Sequence, residues 1–117
     1  MARLRLSGPA KADIVAILQT SHDRHGEPAR RRYRALIATA LRRIAADPHG
    51  RATADRPELG AGIRSFHIRH SRGETREAAV ANPVHVVFFR VADAGVVEIV
   101  RLLHDRMEPG RHIETER

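Results

Sequence analysis

Hydrophobic positions recur at two different periods along this chain, and the change from one to the other divides a helical first half from a strand-rich second half. Residues 3–6 alternate Arg and Leu and predict a short edge strand. Ser7, Gly8 and Pro9 then predict a helix start, because serine can cap free amides and proline fits a first turn. Ala10, Ile14, Ile17, Leu18 and Ser21 recur at helical spacing, giving a first helix over 9–23 that "HGEP" ends at Gly26 and Pro28. A second helix over 29–46 carries Tyr33, Leu36, Ile37, Ala40, Leu41 and Ile44 on one stripe, with Arg30, Arg31, Arg34, Arg42 and Arg43 mostly off it. The short connection predicts an antiparallel helical hairpin, closed by "DPHG" at 47–50.

Residues 51–62 read as loop. "IRSFHIRH" at 63–70 then alternates, with Arg64, Phe66, Ile68 and His70 on one face and Ile63, Ser65, His67 and Arg69 on the other. After a long loop that Pro83 closes, "VHVVFFRVA" at 84–92 is apolar on both faces and predicts a central strand. A turn at Asp93, Ala94 and Gly95 joins it to a last strand, "VVEIVRLL" at 96–103. The expected order is β-α-α-β-β-β in a single domain spanning 1–117. Helices cover only one face of such a sheet, so either Val87, Phe89 and Val91 or the alternate set Val86 and Phe88 is expected to await a partner.

Composition narrows the function. The chain has no cysteine, which excludes disulfides, thiolate metal sites and thiol nucleophiles and makes a reducing cytoplasm the simplest home. Its net charge is +7, carried by twenty arginines and one lysine, so the expected partner is acidic: nucleic acid or an acidic protein. Tyr33, Phe66, Phe88 and Phe89 are the only aromatic residues, too few for a base-stacking platform. The most apolar window is broken by His85, Arg90, Asp93 and Glu98, and no membrane span or secretion signal is expected. Among the eight histidines, His67 and His70 project to opposite faces, and no H-E-x-x-H pair exists, so neither a metal nor a cofactor is expected. Ser65, Ser71 and Thr75 sit in no nucleophile elbow, "GAG" at 60–62 lacks the lysine of a phosphate loop, and "RRRYR" at 30–34 reads as a solvated helix face.

The tail is the remaining concentration of chemistry. Arg101, His104, Arg106, Arg111 and His112 lie beside Asp105 and Glu108 directly after a strand, a pattern that suits a frayed end as well as a grip on a macromolecule. "RSFHIRHSR", "PVHVVFFRV" and "VVEIVRLLHDRMEPGRHI", above all the ending LH-D-RM-x-x-x-RH, resemble the ParE toxins of the ParE/RelE superfamily, the toxic half of bacterial type II toxin–antitoxin modules that stabilise plasmids. The likeness runs from about residue 3 to 113.

This resemblance implies an α+β fold, a small twisted antiparallel sheet packed on an N-terminal α-hairpin. It implies inhibition of DNA gyrase by binding, and neutralisation by a ParD-like acidic antitoxin, with a higher toxin–antitoxin assembly as a further expectation. On that reading Arg101, Arg106 and Arg111 reach carboxylates or phosphates, Met107 supplies an adaptable apolar contact, and His104 completes the target-binding set. Arg64, Arg69 and Arg90, with Val87, Phe89 and Val91, would meet the antitoxin. The RelE-like cousins cut messenger RNA on the ribosome, and here His104 would be the acid or base, with Arg64, Arg69 or Arg101 as clamps. Against this alternative, no tyrosine or lysine lies near the tail in sequence and no second general base is evident. A non-toxic binding module is the third reading.

Overall fold

Ser7 starts the helical half as its position suggests. In the computed structural model, which describes residues 2–74, 80–93 and 95–113, its Oγ accepts the Ala10 N–H at 3.0 Å and its own hydroxyl donates to the Val100 carbonyl at 2.7 Å. The cap therefore also ties α1 (Gly8–His25) to the sheet. A single residue, Gly26 at φ 88, separates α1 from α2 (Glu27–Ala46). Left-handed backbone costs glycine little, so the reversal is tighter than the HGEP turn suggested.

Five strands form one sheet: β1 (Arg3–Leu6), β2 (Thr53–Asp55), β3 (Arg64–His67), β4 (His85–Asp93) and β5 (Val96–His104), in the order β1-β5-β4-β3-β2. The α+β class and the α-hairpin packed on a sheet agree with expectation, with three refinements. The sheet is mixed, because β1 runs parallel to β5 while the other neighbours are antiparallel. β2 arises inside the predicted loop. β3 stops at His67, whose Nδ1 accepts the Arg69 N–H at 3.1 Å and turns Ile68–Ser71 into a 3₁₀ turn.

A bulge decides which side chains face the helices. Phe88 pairs with Arg101 but Phe89 pairs with Ile99, so Val100 stands unpaired and the facing of β5 inverts there. Val97, Ile99 and Leu102 consequently all join Val87, Phe89, Phe66 and Ile68 beneath Leu36, Ala40 and Ile44 of α2. On the opposite face Phe88 and Leu103 form a second cluster with Leu59, Ile63 and Ile113. That face is covered by Leu59 of the turn Pro57–Leu59 and by Ile113.

This corrects the expected open row. Val87 and Phe89 are 0 % exposed under the α-hairpin and Phe88 is 3 % exposed on the other side, whereas Val91, beyond the reach of α2, is 42 % exposed.

Candidate functional site

The tail is pinned at both ends. At its start the Asp105 N–H donates to the Val84 carbonyl at 2.7 Å, and the Asp105 carboxylate accepts from His67 Nε2 at 3.0 Å. That bond, with the positive charge around it, holds the Asp105 carboxyl below its ordinary range. At its end Ile113 is buried in the second apolar cluster, and Arg101 Nη1 donates to the His112 carbonyl at 2.8 Å. Between these anchors a 3₁₀ turn, Pro109–Arg111, shapes the segment. The reading of the tail as a frayed end therefore fails.

What the anchored segment presents is Arg106, Met107 and Arg111, all exposed, with Met107 at 47 %. Among the described residues Arg111 meets only Glu108, at 3.3 Å with both side chains mostly in water, an attachment that contributes little. These three predicted target residues share one short loop. His104 stands at its root, part-buried, with its ring edge-on to His85 at 5.7 Å between centroids.

Arg101 is a different matter. Its Nε and Nη2 donate to the two Asp13 oxygens at 2.7 and 2.8 Å, and its third nitrogen holds the His112 carbonyl. The Asp13 carboxylate raises the Arg101 pKa still further and also accepts the Leu102 N–H at 3.0 Å. Expected to reach a target, Arg101 instead braces the tail against α1, because a carboxylate lies in its path.

Behind His104 lies a polar chain that runs into the core. His85 Nδ1 is 2.5 Å from the Tyr33 hydroxyl, which also accepts the Val84 N–H at 3.2 Å. The Tyr33 hydroxyl and His85 Nδ1 thus share one hydrogen bond, whose donor is set by the tautomer of the imidazole. Burial pushes the Tyr33 pKa up, and burial followed by the neighbouring His104 pushes His85 down to about 4. Sequence order had set tyrosine apart from the tail; the fold closes the 52 residues between Tyr33 and His85, whose ring meets that of His104. Tyr33, His85, His67 and Asp13 were all missed as site residues. Tyr33 carried only a core signal, and the others carried no local signal.

The expected antitoxin residues scatter. Arg64 is committed internally, to the Pro48 carbonyl at 3.1 Å and Thr53 Oγ1 at 2.7 Å. Arg90 pairs with Glu98, which also holds Arg5. Arg69 is exposed. Val91 and Arg64 line a shallow cavity of about 340 Å³ with His49, Asp55 and Gly62.

Comparison with known proteins places the chain. The family described as ParE toxin of type II toxin-antitoxin system, parDE, matches residues 4–109. Toxin ParE1 of Mycobacterium tuberculosis, in strains CDC 1551 / Oshkosh and ATCC 25618 / H37Rv, is 30% identical over 113 residues, covering 96% of this chain and 98% of that one. A solved chain from the chromosomal ParDE TA system of P. aeruginosa shares the fold, with a TM-score of 0.56 and 18% identity over 89% of this chain and 96% of that one.

Proposed function

Since this chain belongs to the ParE toxin family of type II toxin–antitoxin systems, we propose that it acts in the bacterial cytoplasm by gripping DNA gyrase, and that a ParD-like antitoxin with an acidic amphipathic segment neutralises it. The observation that carries this reading is the doubly pinned loop that holds Arg106, Met107 and Arg111 out into solvent. Two planar forks beside a polarizable apolar contact suit carboxylates or DNA phosphates around a small hydrophobic anchor. For the antitoxin, the cavity beside Val91 is the place where predicted contact residues adjoin open space.

The imidazoles favour binding over RNA cleavage. His104 Nδ1 accepts the Arg106 N–H at 3.1 Å, so in the neutral ring Nε2 carries the proton and is a donor, not a base. His67 has both nitrogens engaged, and the Tyr33 hydroxyl is turned inward. A general base must reach the proton it removes, and these groups are held by their own bonds.

A supercoiling assay with purified protein tests the proposal. Gyrase inhibition, relieved by the antitoxin, is expected. Full gyrase activity at saturating toxin while induced cells still die overturns it. Toxin-dependent cuts in translated messages, mapped by primer extension, would install the nuclease instead.

A further inference from the structure

The first two turns of α2 break a rule of helix electrostatics. A helix N-terminus carries a partial positive charge and favours acids. Beyond Glu27, however, this helix places Arg30, Arg31, Arg32 and Arg34 there, and residues 28–46 contain no acid at all.

Folding accounts for some of these cations. Arg30 reaches Glu27 at 3.3 Å, and Arg43 reaches the His70 carbonyl at 2.6 Å and Glu74 at 2.7 Å. Arg31, Arg32 and Arg34 are exposed, and among the described residues no hydrogen bond or ion pair engages them; Arg42, also exposed, touches only its own helix at Thr39 Oγ1, 3.1 Å away. A local rule broken without structural gain marks a functional position.

Spacing places these charges together. Arg31, Arg34, Ala38 and Arg42 follow one another at intervals of three and four, and so lie on one outward strip about 16 Å long. We propose that this strip, with Arg32 on its flank, is a sequence-independent binding site for the phosphate backbone of duplex DNA, separate from the carboxy-terminal loop.

Two observations select the ligand. All four aromatic rings are buried, Tyr33 at 9 % exposure, Phe66 at 2 %, Phe88 at 3 % and Phe89 at 0 %, so unstacked bases would find no platform and the intact duplex backbone remains. The large apolar side chains exposed among the described residues are Val15, Val91 and Met107, none on α2. An acidic peptide would therefore lack the apolar anchor that such interfaces need. Arginine forks on phosphate need none.

Fluorescence anisotropy of the full chain with a labelled duplex of about 20 base pairs tests the site. For about three phosphate contacts, affinity should fall roughly 40-fold between 50 and 200 mM salt. Arg31→Gln with Arg34→Gln should keep the wild-type melting temperature, bind at least tenfold more weakly at the lower salt and show a flatter salt slope. Arg31→Glu with Arg34→Glu, as a second variant, should bind more weakly still. Three results overturn the proposal: wild type that does not bind at the lower salt, folded variants that bind as tightly as wild type, or polyglutamate bound as tightly as the duplex, which would assign the strip to an acidic protein.

Discussion

Replacing Asp13 by alanine tests whether α1 governs the carboxy-terminal loop. The carboxylate accepts from Arg101 Nε at 2.7 Å, from Arg101 Nη2 at 2.8 Å and from the Leu102 N–H at 3.0 Å. The two side chains are 22% and 15% exposed, so the pair sits between surface and interior. Exposed ion pairs contribute at most about 1 kcal/mol, whereas halving a buried one costs about 3–5 kcal/mol. The orphaned Leu102 N–H adds about 1–3 kcal/mol if water cannot reach it. A total near 3 kcal/mol is expected, which lowers Tm by about 10 °C for a domain of this size.

Urea unfolding followed by circular dichroism gives the stability directly. The double variant Asp13→Ala with Arg101→Ala should cost less than the sum of the single changes by at least about 1 kcal/mol, since the stranded guanidinium leaves with its partner. Gyrase inhibition should fall in the Asp13→Ala variant, because Arg101, no longer held by the carboxylate, is free to swing away from the His112 carbonyl through which it fixes the loop. A single variant within about 0.5 kcal/mol of wild type, or strict additivity, refutes the brace.

Three further outcomes are expected. His85, pushed down to about 4 from 6.5 by burial, binds fewer protons folded than unfolded between those values, so stability should rise with pH across that window by at most about 3 kcal/mol and be complete above it; His85→Phe should flatten the curve, and parallel curves would dismiss the linkage. Phe89→Ala should cost about 3–5 kcal/mol in chemical denaturation while Val91→Ala costs under about 1 kcal/mol, because the first is wholly buried and the second is 42 % exposed; only the second should weaken antitoxin binding in calorimetry. Arg106→Ala with Met107→Ala should abolish gyrase inhibition with Tm unchanged, and an equal loss of stability would show the loop to be structural.

Short-range chemistry was legible in this sequence and long-range placement was not. The α-hairpin followed from a 3.6-residue stripe between a serine–proline start and a glycine turn, and each of these acts within a few residues. The β4–β5 hairpin followed from two apolar runs on either side of a turn signal ending at Gly95. β2, only three residues long, has too little alternation to be seen, and nothing in the Arg–Leu alternation of residues 3–6 says that its neighbour runs parallel. The bulge at Val100 inverts the facing of β5 midway, so no single alternation along that strand says which of its apolar residues meet the helices. The exposed loop residues Arg106, Met107 and Arg111 carry their character in their own side chains; Arg101 looked the same until Asp13, 88 residues away, appeared beside it.

The parallel pairing of residues 3–6 with 96–99 has a consequence for synthesis. A chain emerging from the ribosome amino terminus first makes β1 long before its partner, so the sheet cannot close, nor the loop after β5 lock against α1, until β5 itself has emerged. The exposed loop, which follows β5, therefore takes its place after every strand of the sheet has been made.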